Sequence, residues 1–580
     1  MKQYWRPSKS GELKTAKSDV KRIFQTIKQC GLPLEDNFLK SRPQPHLFDF
    51  EKRYLSRPAL VDRQLASSEH NSTAYLLHSA RTMLVGDTLS VRVDVCNHRG
   101  DPMSLGGDEV RVWFKGHNNE GLVRFSADVT DLHNGSYLAT ARLVQHGEFQ
   151  VNVGLAHSSD FTRTLLQIHL LFKSLHWSVG LFSNADGSVD EATPCTHQSN
   201  IPFHKHDEVC NLTDVNGSPW YCGKPRNIYL SCKQFLGTLN VPNVIAEQLP
   251  VSPAQLAELK RSMISPRIRL IEVAGGSNVN VTQRPDGVGL EPSKIPCNRL
   301  PAKQTWSQTS TGYLFNPKSN PSNNTWIDMS CRKTIHLRDD QSKCFRNMTV
   351  HVFGDSNSRE HYITICRSTR AKNVAGLQSK YLGWHSTLKC QNPDLNFTSW
   401  WHPHANPFTS SQSHWAINLN ARMTSGVEKN VTDAIPSKGL LVPTSIHLDA
   451  ISSVPSTGRM LVILHQYYHL TMYHTSAYQG MQVSIRDAVK RLLERNPEAI
   501  VVVRGPHSTY GGWKENYVCG DGLARFMEEI LLKIWGELSE TGRVFYLRTW
   551  DMTIATENSE RHPRCNVLVN NRLVNFICDR

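Results

Sequence analysis

The sequence predicts a multidomain chain in which a β-sandwich is followed by a cysteine-rich connector and an α/β domain with a parallel sheet. Apolar and polar residues alternate with a period of two in much of residues 66–185. Residues 186–345 are rich in cysteine, proline and glycine, whereas apolar strands alternate with helical patterns in residues 346–580. Residues 1–65 form a polar N-terminal region. A chain of 580 residues is long enough for two to four such domains.

The net charge and the distribution of basic residues indicate which class of partner to expect. The net charge is +14, but the basic residues are scattered and no run of five or more Lys/Arg occurs. We therefore expect no nucleic-acid partner, and a general field that favours anionic partners such as acidic glycans. A solvated basic surface without a specific partner is the alternative interpretation.

The cysteines and glycosylation motifs predict an oxidising compartment. The 14 cysteines include no Cys-x-x-Cys pair, which favours disulfides over metal sites. Nine Asn-x-Ser/Thr motifs are typical of a luminal or secreted glycoprotein. They begin at Asn71, Asn134, Asn211, Asn216, Asn280, Asn323, Asn347, Asn396 and Asn430. The expected location is the Golgi lumen or the cell exterior.

The N-terminus, in contrast, shows no pattern that would direct the chain into the secretory pathway. Residues 1–6 are polar and no apolar stretch of signal-peptide length follows. No segment reaches the roughly 18 apolar residues of a membrane-spanning helix. Either the targeting segment is missing from this chain or the protein is cytosolic, and the cysteines and glycosylation motifs favour a missing or alternative N-terminus. Ser18 to Gly31 could form one short packing helix.

Elements of the first domain follow from its alternation. The pattern predicts strands at residues 88–95, 109–114, 136–143 and 149–154, separated by turn signals. The segment Asp131 to Tyr137, followed by Gly147 to Val151, resembles a filamin-type immunoglobulin-like repeat. A purely structural sandwich and one that binds a cell-surface protein partner both remain open.

The connector contains little regular patterning. Its one clear helix is Ser252 to Ser265, with Ser252 as N-cap and Pro253 at the first helical position. We expect the rest to be held by disulfides, and some of it to pack on the last domain.

The last domain alternates strand and helix, which predicts a parallel sheet covered on both faces. Expected helices lie at residues 358–370, 482–495 and 522–538, and expected strands at residues 349–353, 460–464, 499–503 and 543–547. Folds of this class place their chemistry at the C-terminal ends of the strands.

One such strand end carries Gly354-Asp355-Ser356. A glycine permits a sharp turn, and the N-terminus of the next helix offers N–H donors to an oxyanion. Ser356 is thus a candidate nucleophile. The same tripeptide is also common in ordinary capped turns.

A serine nucleophile needs a base, and the base needs an orienting acid. After the last predicted strand come Asp551 and, eleven residues later, His562. We expect Ser356 as nucleophile, His562 as general base and then acid, and Asp551 as the residue that holds the imidazole. Taken singly, His562 could be a surface histidine and Asp551 a cap.

Other residues complete the expected site. The Ser356 N–H, Asn357 and Arg359 are candidates for the oxyanion hole, and Arg359 could equally bind an anionic substrate. His465 and Gln466 follow a strand and are candidate substrate contacts. No histidine or cysteine spacing is a metal signature, so we expect no metal.

These motifs together resemble the neurexophilin and PC-esterase domain family over most of the chain. The segments concerned are Gly106-Gly107-Asp108 with Asn134 to Tyr137, Trp220 to Pro225, Phe353 to Ser356 with Arg359, and Asp551 to Thr553 with His562-Pro563 and Phe576 to Cys578.

The resemblance implies an SGNH/GDSL-like hydrolase fold with a Ser-His-Asp site that acts on acylated glycans. It also implies O-acetylation of sialic acid in the secretory pathway, with acetyl-CoA as a donor. One departure concerns the acid, because many relatives place it three residues before the histidine, where this chain has Ser559. The glycine and Gly-x-Asn-Asp blocks of the superfamily are not recognisable either.

Two functions therefore stand as hypotheses. The first is a glycan O-acetyltransferase or O-acetylesterase that works through an acyl-serine. The second is a secreted neurexophilin-like binding glycoprotein with an inactive esterase-like domain. Transfer or hydrolysis, the acceptor, the disulfide pairing and the oligomeric state stay open at this point.

Overall fold

The computed structural model describes residues 48–78, 82–172, 177–184, 190–201, 208–241, 251–264, 268–285, 293–320, 324–333, 342–374, 387–403, 443–509 and 520–578. The helix predicted at Ser18 to Gly31 lies outside these residues.

The first part of the described chain is one short helix, eight strands and a longer helix. In chain order these are α1 Asp49–Leu55, β1 Ser67–Leu76, β2 Thr82–Leu84, β3 Thr88–Asn97, β4 Glu109–His117, β5 Gly121–Ser126, β6 Asp128–Asp131, β7 Ser136–Arg142, β8 Gly147–His157 and α2 Ser159–Phe172. All four strands predicted here are present.

The connector is richer in strands than the sequence predicts. Its elements are β9 Trp177–Ser183, β10 Asp190–Thr196, β11 Val209–Asn211, α3 Thr213–Asn216, β12 Tyr221–Gly223, β13 Phe235–Val241, α4 Pro253–Ile264, β14 Arg269–Ala274, β15 Asn278–Thr282, β16 Gly312–Pro317 and β17 Thr325–Asp328. The predicted helix is α4, and Ser252 caps it by accepting a 3.1 Å hydrogen bond from the Gln255 N–H. The strands of this segment were not predicted, because the sequence shows little regular patterning there.

The last part alternates strands with helices, as predicted. Its elements are β18 Thr349–Gly354, α5 Ser356–Ser368, β19 Lys372–Asn373, β20 Leu388–Asn392, β21 Phe397–Pro403, α6 Pro443–Ser453, β22 Met460–His465, α7 Thr475–Arg495, β23 Ala499–Arg504, α8 Ala524–Ser539, β24 Val544–Leu547, α9 Trp550–Ala555 and α10 Asn566–Ile577.

Twelve strands form one curled mixed sheet. The order along its main path is β17-β16-β5-β4-β8-β14-β1-β3-β7-β6, and β15 bridges β2 and β8. Apolar residues of β3, β4 and β8, such as Val91, Val112 and Val151, pack in one core, because the sheet curls round on itself. The immunoglobulin-like assignment stays a prediction. Strands β14 to β17 extend this sheet beyond the alternating region that the sequence reveals.

A second, five-stranded sheet lies within the connector, in the order β11-β12-β10-β9-β13. The disulfides Cys195–Cys222 and Cys210–Cys232 connect its strands and the segment that follows β12. Three further disulfides are Cys297–Cys331, Cys344–Cys578 and Cys366–Cys390. Cys344–Cys578 joins the start of the last domain to the end of its last helix.

The third sheet has seven strands in the order β19-β20-β21-β18-β22-β23-β24. The five strands from β21 to β24 are parallel neighbours. Numbered along the chain, these five have the spatial order 2-1-3-4-5. Such a sheet reverses its winding between its first and third strands, and ligands of open α/β folds bind at that switch point. Here the switch point lies between β18 and β22.

Helices cover both faces of this sheet. On one face, residues of α7 and α8 such as Ile485 and Trp535 pack on Val462. On the other face, residues of α5 and α10 such as Tyr362 and Phe576 pack on Ile463. Strands β18, β22, β23 and β24 are therefore buried on both sides, as their continuous apolar runs indicate.

Two further findings on the described residues concern membrane spans and glycosylation motifs. None of their helices has both the length and the apolarity that a bilayer span requires. Six of the seven glycosylation motifs among them begin with an exposed asparagine, namely Asn71, Asn134, Asn211, Asn280, Asn347 and Asn396. Asn216 is the exception, because it is buried and its amide donates to Ser218.

Candidate active site

The turn after β18 is shaped by Gly354. Its φ is +141°, and a Cβ there would lie 2.0 Å from the His465 carbonyl oxygen, which excludes any side chain. The backbone of β18 can therefore approach β22 closely, where Gly354 and His465 are register partners. Helix α5 begins two residues later, at Ser356.

Asp355 is the N-cap of α5 and links the turn to the neighbouring strand end. Its carboxylate accepts hydrogen bonds from the Asn357 N–H at 2.8 Å and the Tyr468 N–H at 3.2 Å. The carboxylate thus caps the helix and ties the loop after β22 to it. The Ser356 N–H lies in the first turn of the helix, where amides have no intrahelical acceptor and can donate to an oxyanion.

Ser356 and His562 lie side by side, although 206 residues separate them. The Ser356 Oγ and the His562 Nε2 are 2.7 Å apart. When His562 is neutral and carries its proton on Nδ1, its Nε2 accepts the serine proton. This is the contact between a nucleophile and its base that acyl transfer through serine requires.

His562 is well suited to act as a base. Partial burial lowers its pKa, an effect that the Asp355 charge opposes and the Arg561 charge reinforces. A lowered pKa keeps the imidazole neutral at neutral and mildly acidic pH, so that it can take a proton.

Asp551 is placed differently from the expected orienting acid. It is buried, and its Oδ2 accepts hydrogen bonds from the Thr311 N–H and the Thr311 hydroxyl, both at 2.7 Å. Among the described residues, no carboxylate hydrogen-bonds to His562. The structure therefore brings Ser356 and His562 together and directs Asp551 towards the loop before β16.

The oxyanion candidates occupy distinct positions. Asn357 is buried, and its side-chain amide has no hydrogen-bond partner among the described residues. Arg359 lies over the Trp401 ring at 5.8 Å and near the Glu360 carboxylate at 3.9 Å. Its guanidinium is one-quarter exposed, which suits contact with a substrate better than a role in the core.

His465 and Gln466 are buried at the end of β22, next to the switch point. The Gln466 amide nitrogen lies 2.5 Å from the His447 Nδ1, and the His447 Nε2 lies 3.1 Å from the Pro403 carbonyl oxygen. Gln466 thus connects the ends of β22 and β21. Its Oε1 has no partner among the described residues.

Sequence reasoning missed several residues near the site. Tyr468 stacks on His507 at 5.7 Å, and the His507 Nε2 lies 3.1 Å from the carbonyl oxygen of Arg561, the neighbour of His562. Arg504, at the end of β23, is almost completely buried. A charged residue that ends an apolar strand at the active edge of a sheet is a signal that could have revealed Arg504.

A comparison with known families agrees with this part of the molecule. Residues 326–435 and 441–578 match the family model described as NXPE family member 4-like, C-terminal domain. The match includes β18, the Ser356 turn and His562. This C-terminal part of the chain is therefore similar to the NXPE family.

Proposed function

We propose that the chain is a serine-dependent O-acyl enzyme, a glycan O-acetyltransferase or O-acetylesterase. The observation that carries the proposal is the 2.7 Å contact between the Ser356 Oγ and the His562 Nε2 at the switch point of a parallel sheet. The 2-1-3-4-5 order of its strands supports an SGNH-like three-layer fold. Similarity to this family supports an esterase-like or acyltransferase-like domain.

The reaction follows from this geometry in two steps. The Ser356 Oγ attacks the acetyl carbonyl carbon of the donor while its proton passes to the His562 Nε2. The bond from the carbonyl carbon to the leaving oxygen or sulfur then breaks, and the leaving group receives that proton. In the second step an acceptor hydroxyl attacks the acetyl-serine, gives its proton to His562, and Ser356 recovers a proton as the ester forms.

Charge at the attacked carbonyl oxygen would be stabilised by the start of α5. The Ser356 N–H and the Asn357 side chain are the proposed donors, since the Asn357 side-chain amide has no other partner among the described residues. We propose that Arg359 and Gln466 contact the substrate around this centre, whereas His465, expected from the sequence as a third contact, is completely buried behind the Ser356 turn. In this arrangement Asp551 connects α9 to the loop before β16 through its hydrogen bonds to Thr311.

The proposed acceptor is a sialic acid or a related glycan, and the proposed donor is acetyl-CoA. Both follow from the resemblance to the family, and the partly exposed Arg359 offers a cation to a sugar carboxylate. A location in the Golgi lumen or outside the cell is supported by five disulfides and six exposed glycosylation motifs. A glycan or glycoprotein is then the partner.

Acetyl transfer from acetyl-CoA to a sialylated glycan tests this proposal. We expect the wild type to transfer acetyl and Ser356→Ala to lose at least about 1,000-fold of the rate. The matched control is Ser484→Ala, a serine of α7 whose hydroxyl bonds only the Gly480 carbonyl of its own helix. Equal rates for wild type and Ser356→Ala would refute the nucleophile. Hydrolysis of an acetylated glycan without transfer would identify an esterase.

One observation favours a second function. Among the described residues, no carboxylate orients His562. A binding glycoprotein whose esterase-like domain is inactive would not need one. In that case neither transfer nor hydrolysis occurs, and Ser356→Ala leaves binding to a cell-surface partner unchanged.

A further inference from the structure

Arg504 is a buried cation that has no hydrogen-bonded counter-ion among the described residues. Its side chain is 1% exposed, and all three of its guanidinium nitrogens lack a hydrogen-bond partner among the described residues. Burial lowers its pKa to about 10, so the group remains charged at neutral pH. An unpaired buried charge costs several kcal/mol, which makes such an arrangement rare unless a ligand compensates it.

The register of the sheet shows where Arg504 lies. Leu464 pairs with Val503 in the parallel sheet, so Arg504 comes next to His465, the register partner of Gly354. Val502 and Ile463 belong to the core beneath α5 and α10. Side chains two residues further along a strand share that face. Arg504 and His465 are therefore enclosed between the sheet and these helices, directly behind the Ser356 turn.

Three histidines complete the surroundings of Arg504. Each is completely buried, and the Arg504 charge helps to lower the pKa of each, after burial itself. They are His361 of α5, His465 of β22 and His507 after β23. The Nε2 of His465, the Nδ1 of His507 and both ring nitrogens of His361 have no partner among the described residues.

The nearest acidic groups do not hydrogen-bond to Arg504, although the Asp355 charge acts on it from a distance and raises its pKa. Asp355 bonds the backbone N–H groups of Asn357 and Tyr468 instead. Burial raises the pKa of the Cys565 thiol to about 11, so the thiol is uncharged at neutral pH. The region thus has one cation, several imidazole N–H groups and no paired anion.

We propose that Arg504 and the three histidines form a buried site for a small inorganic monoanion of chloride size. The guanidinium supplies charge and N–H donors, and each neutral imidazole can turn one N–H towards the ion. The burial of every lining side chain favours a small ion over a sugar or a nucleotide. The ion would neutralise the charge of Arg504. It would also hold Arg504 and His465 in place behind the Ser356 turn. The site does not depend on the proposed reaction.

Crystals of the full chain grown in sodium bromide test the site directly. We expect an anomalous bromide peak within about 3.5 Å of the Arg504 guanidinium and of at least one of the three imidazoles. Water at hydrogen-bond distance in that place, without a bromide peak, would overturn the proposal.

A solution experiment tests the same site. Sodium chloride is titrated against sodium gluconate at constant ionic strength, because screening then stays equal. At a chloride concentration ten times Kd we expect the wild-type Tm to rise by about 1–3 °C. Arg504→Met should lose this saturable rise. The matched control is Arg572→Met, which removes a buried arginine paired with Asp328 and should keep the rise.

The outcomes are distinct even if a variant does not fold. A chloride response that is absent in the wild type, or that is retained in Arg504→Met, contradicts the site. If Arg504→Met fails to fold, the bromide peak in the wild type decides alone.

Discussion

At the scale of single residues, the central feature is a serine hydroxyl that faces a neutral imidazole. The neutral state of His562 is a consequence of its partial burial, which lowers its pKa. The Asp355 carboxylate is near enough to oppose this effect, but it bonds backbone N–H groups and not the imidazole. The pair is therefore poised for proton transfer without a directly bonded acid among the described residues.

The first prediction concerns the pH dependence of the reaction. The base must be unprotonated to accept a proton. Because the pKa of His562 is lowered, more of its imidazole stays neutral as the pH falls below the usual histidine pKa of about 6.5. We expect the acidic limb of kcat/KM to have its midpoint below pH 6.5, with full rate retained at pH 7 and above. A rate profile from pH 4 to 8 measures this. A midpoint above 6.5 would contradict the role or the environment of His562.

Asp551 provides the second prediction. Its hydrogen bonds go to Thr311, so we expect Asp551→Ala to lower the free energy of unfolding by about 1–3 kcal/mol and to change kcat less than tenfold. Thr311→Val, which removes the hydroxyl bond alone, should show a smaller change of the same kind.

Turnover and urea unfolding of both variants distinguish the alternatives for Asp551. If Asp551 orients His562 during the reaction, Asp551→Ala would lose about 10,000-fold in kcat while Thr311→Val would not.

The site could be predicted only in part. Ser356 and His562 could be found because each follows a strand that ends at the same edge of the parallel sheet. That inference requires only the order of strands and helices along the chain, and not the directions of side chains. The partner of Asp551 could not, since Thr311 lies 240 residues away in the segment where the sequence shows no regular pattern. The position of Arg504 at the end of an apolar strand is visible in the sequence, but its lack of hydrogen-bond partners among the described residues is visible only in the structure.

At the scale of elements, the junction of β18 and α5 depends on one backbone conformation. Gly354 has φ +141°, and its α-carbon faces the His465 carbonyl oxygen across the strand pair. Asp355 then caps the helix that begins at Ser356. Ser356 is thus held in place by the turn at Gly354, the helix cap at Asp355 and the pairing of β18 with β22.

The third prediction compares two glycine substitutions. Gly354→Ala places a methyl group 2.0 Å from a backbone oxygen in a conformation that L side chains rarely adopt. We expect a loss of at least about 2 kcal/mol of unfolding free energy and a large loss of activity. Gly536→Ala is the control, because it lies within α8 with nothing near its Cβ, and it should stabilise by about 0.5–1 kcal/mol. Equal effects of the two substitutions would contradict this account.

The elements themselves were predictable where burial is strong. The strands expected at residues 349–353, 460–464 and 499–503 each extend one residue further in the structure, to Gly354, His465 and Arg504. Continuous apolar runs identify such strands because both faces are covered. The curled sheet was less visible, since it pairs β1 with β14 and β8 with β15 across long stretches of chain. Pairings of that kind depend on tertiary structure and leave no local pattern.

At the scale of the whole molecule, the curled sheet is joined to the parallel-sheet domain by buried charges. Asp521 accepts from Arg111 of β4 at 2.7 Å and from the Thr509 N–H at 2.7 Å, and its Oδ1 lies 2.7 Å from the His157 Nε2 at the end of β8. Glu557, which follows α9, makes a second link by bonding Trp113 and Arg124. The two sheets are thus fixed to each other close to the edge that carries Ser356.

The last prediction tests this junction. Asp521→Asn removes a charge that pairs with Arg111, whose side chain is 1% exposed. Because breaking a buried pair leaves an uncompensated charge, we expect a loss of about 3–5 kcal/mol of unfolding free energy in urea. Asp487→Asn is the control, since its pair with Arg486 is about half exposed at the carboxylate and should contribute less than about 1 kcal/mol. If Asp521→Asn costs no more than Asp487→Asn, the buried charges do not hold the two sheets together, and the packing of α9 on β4 and β5 must do so instead.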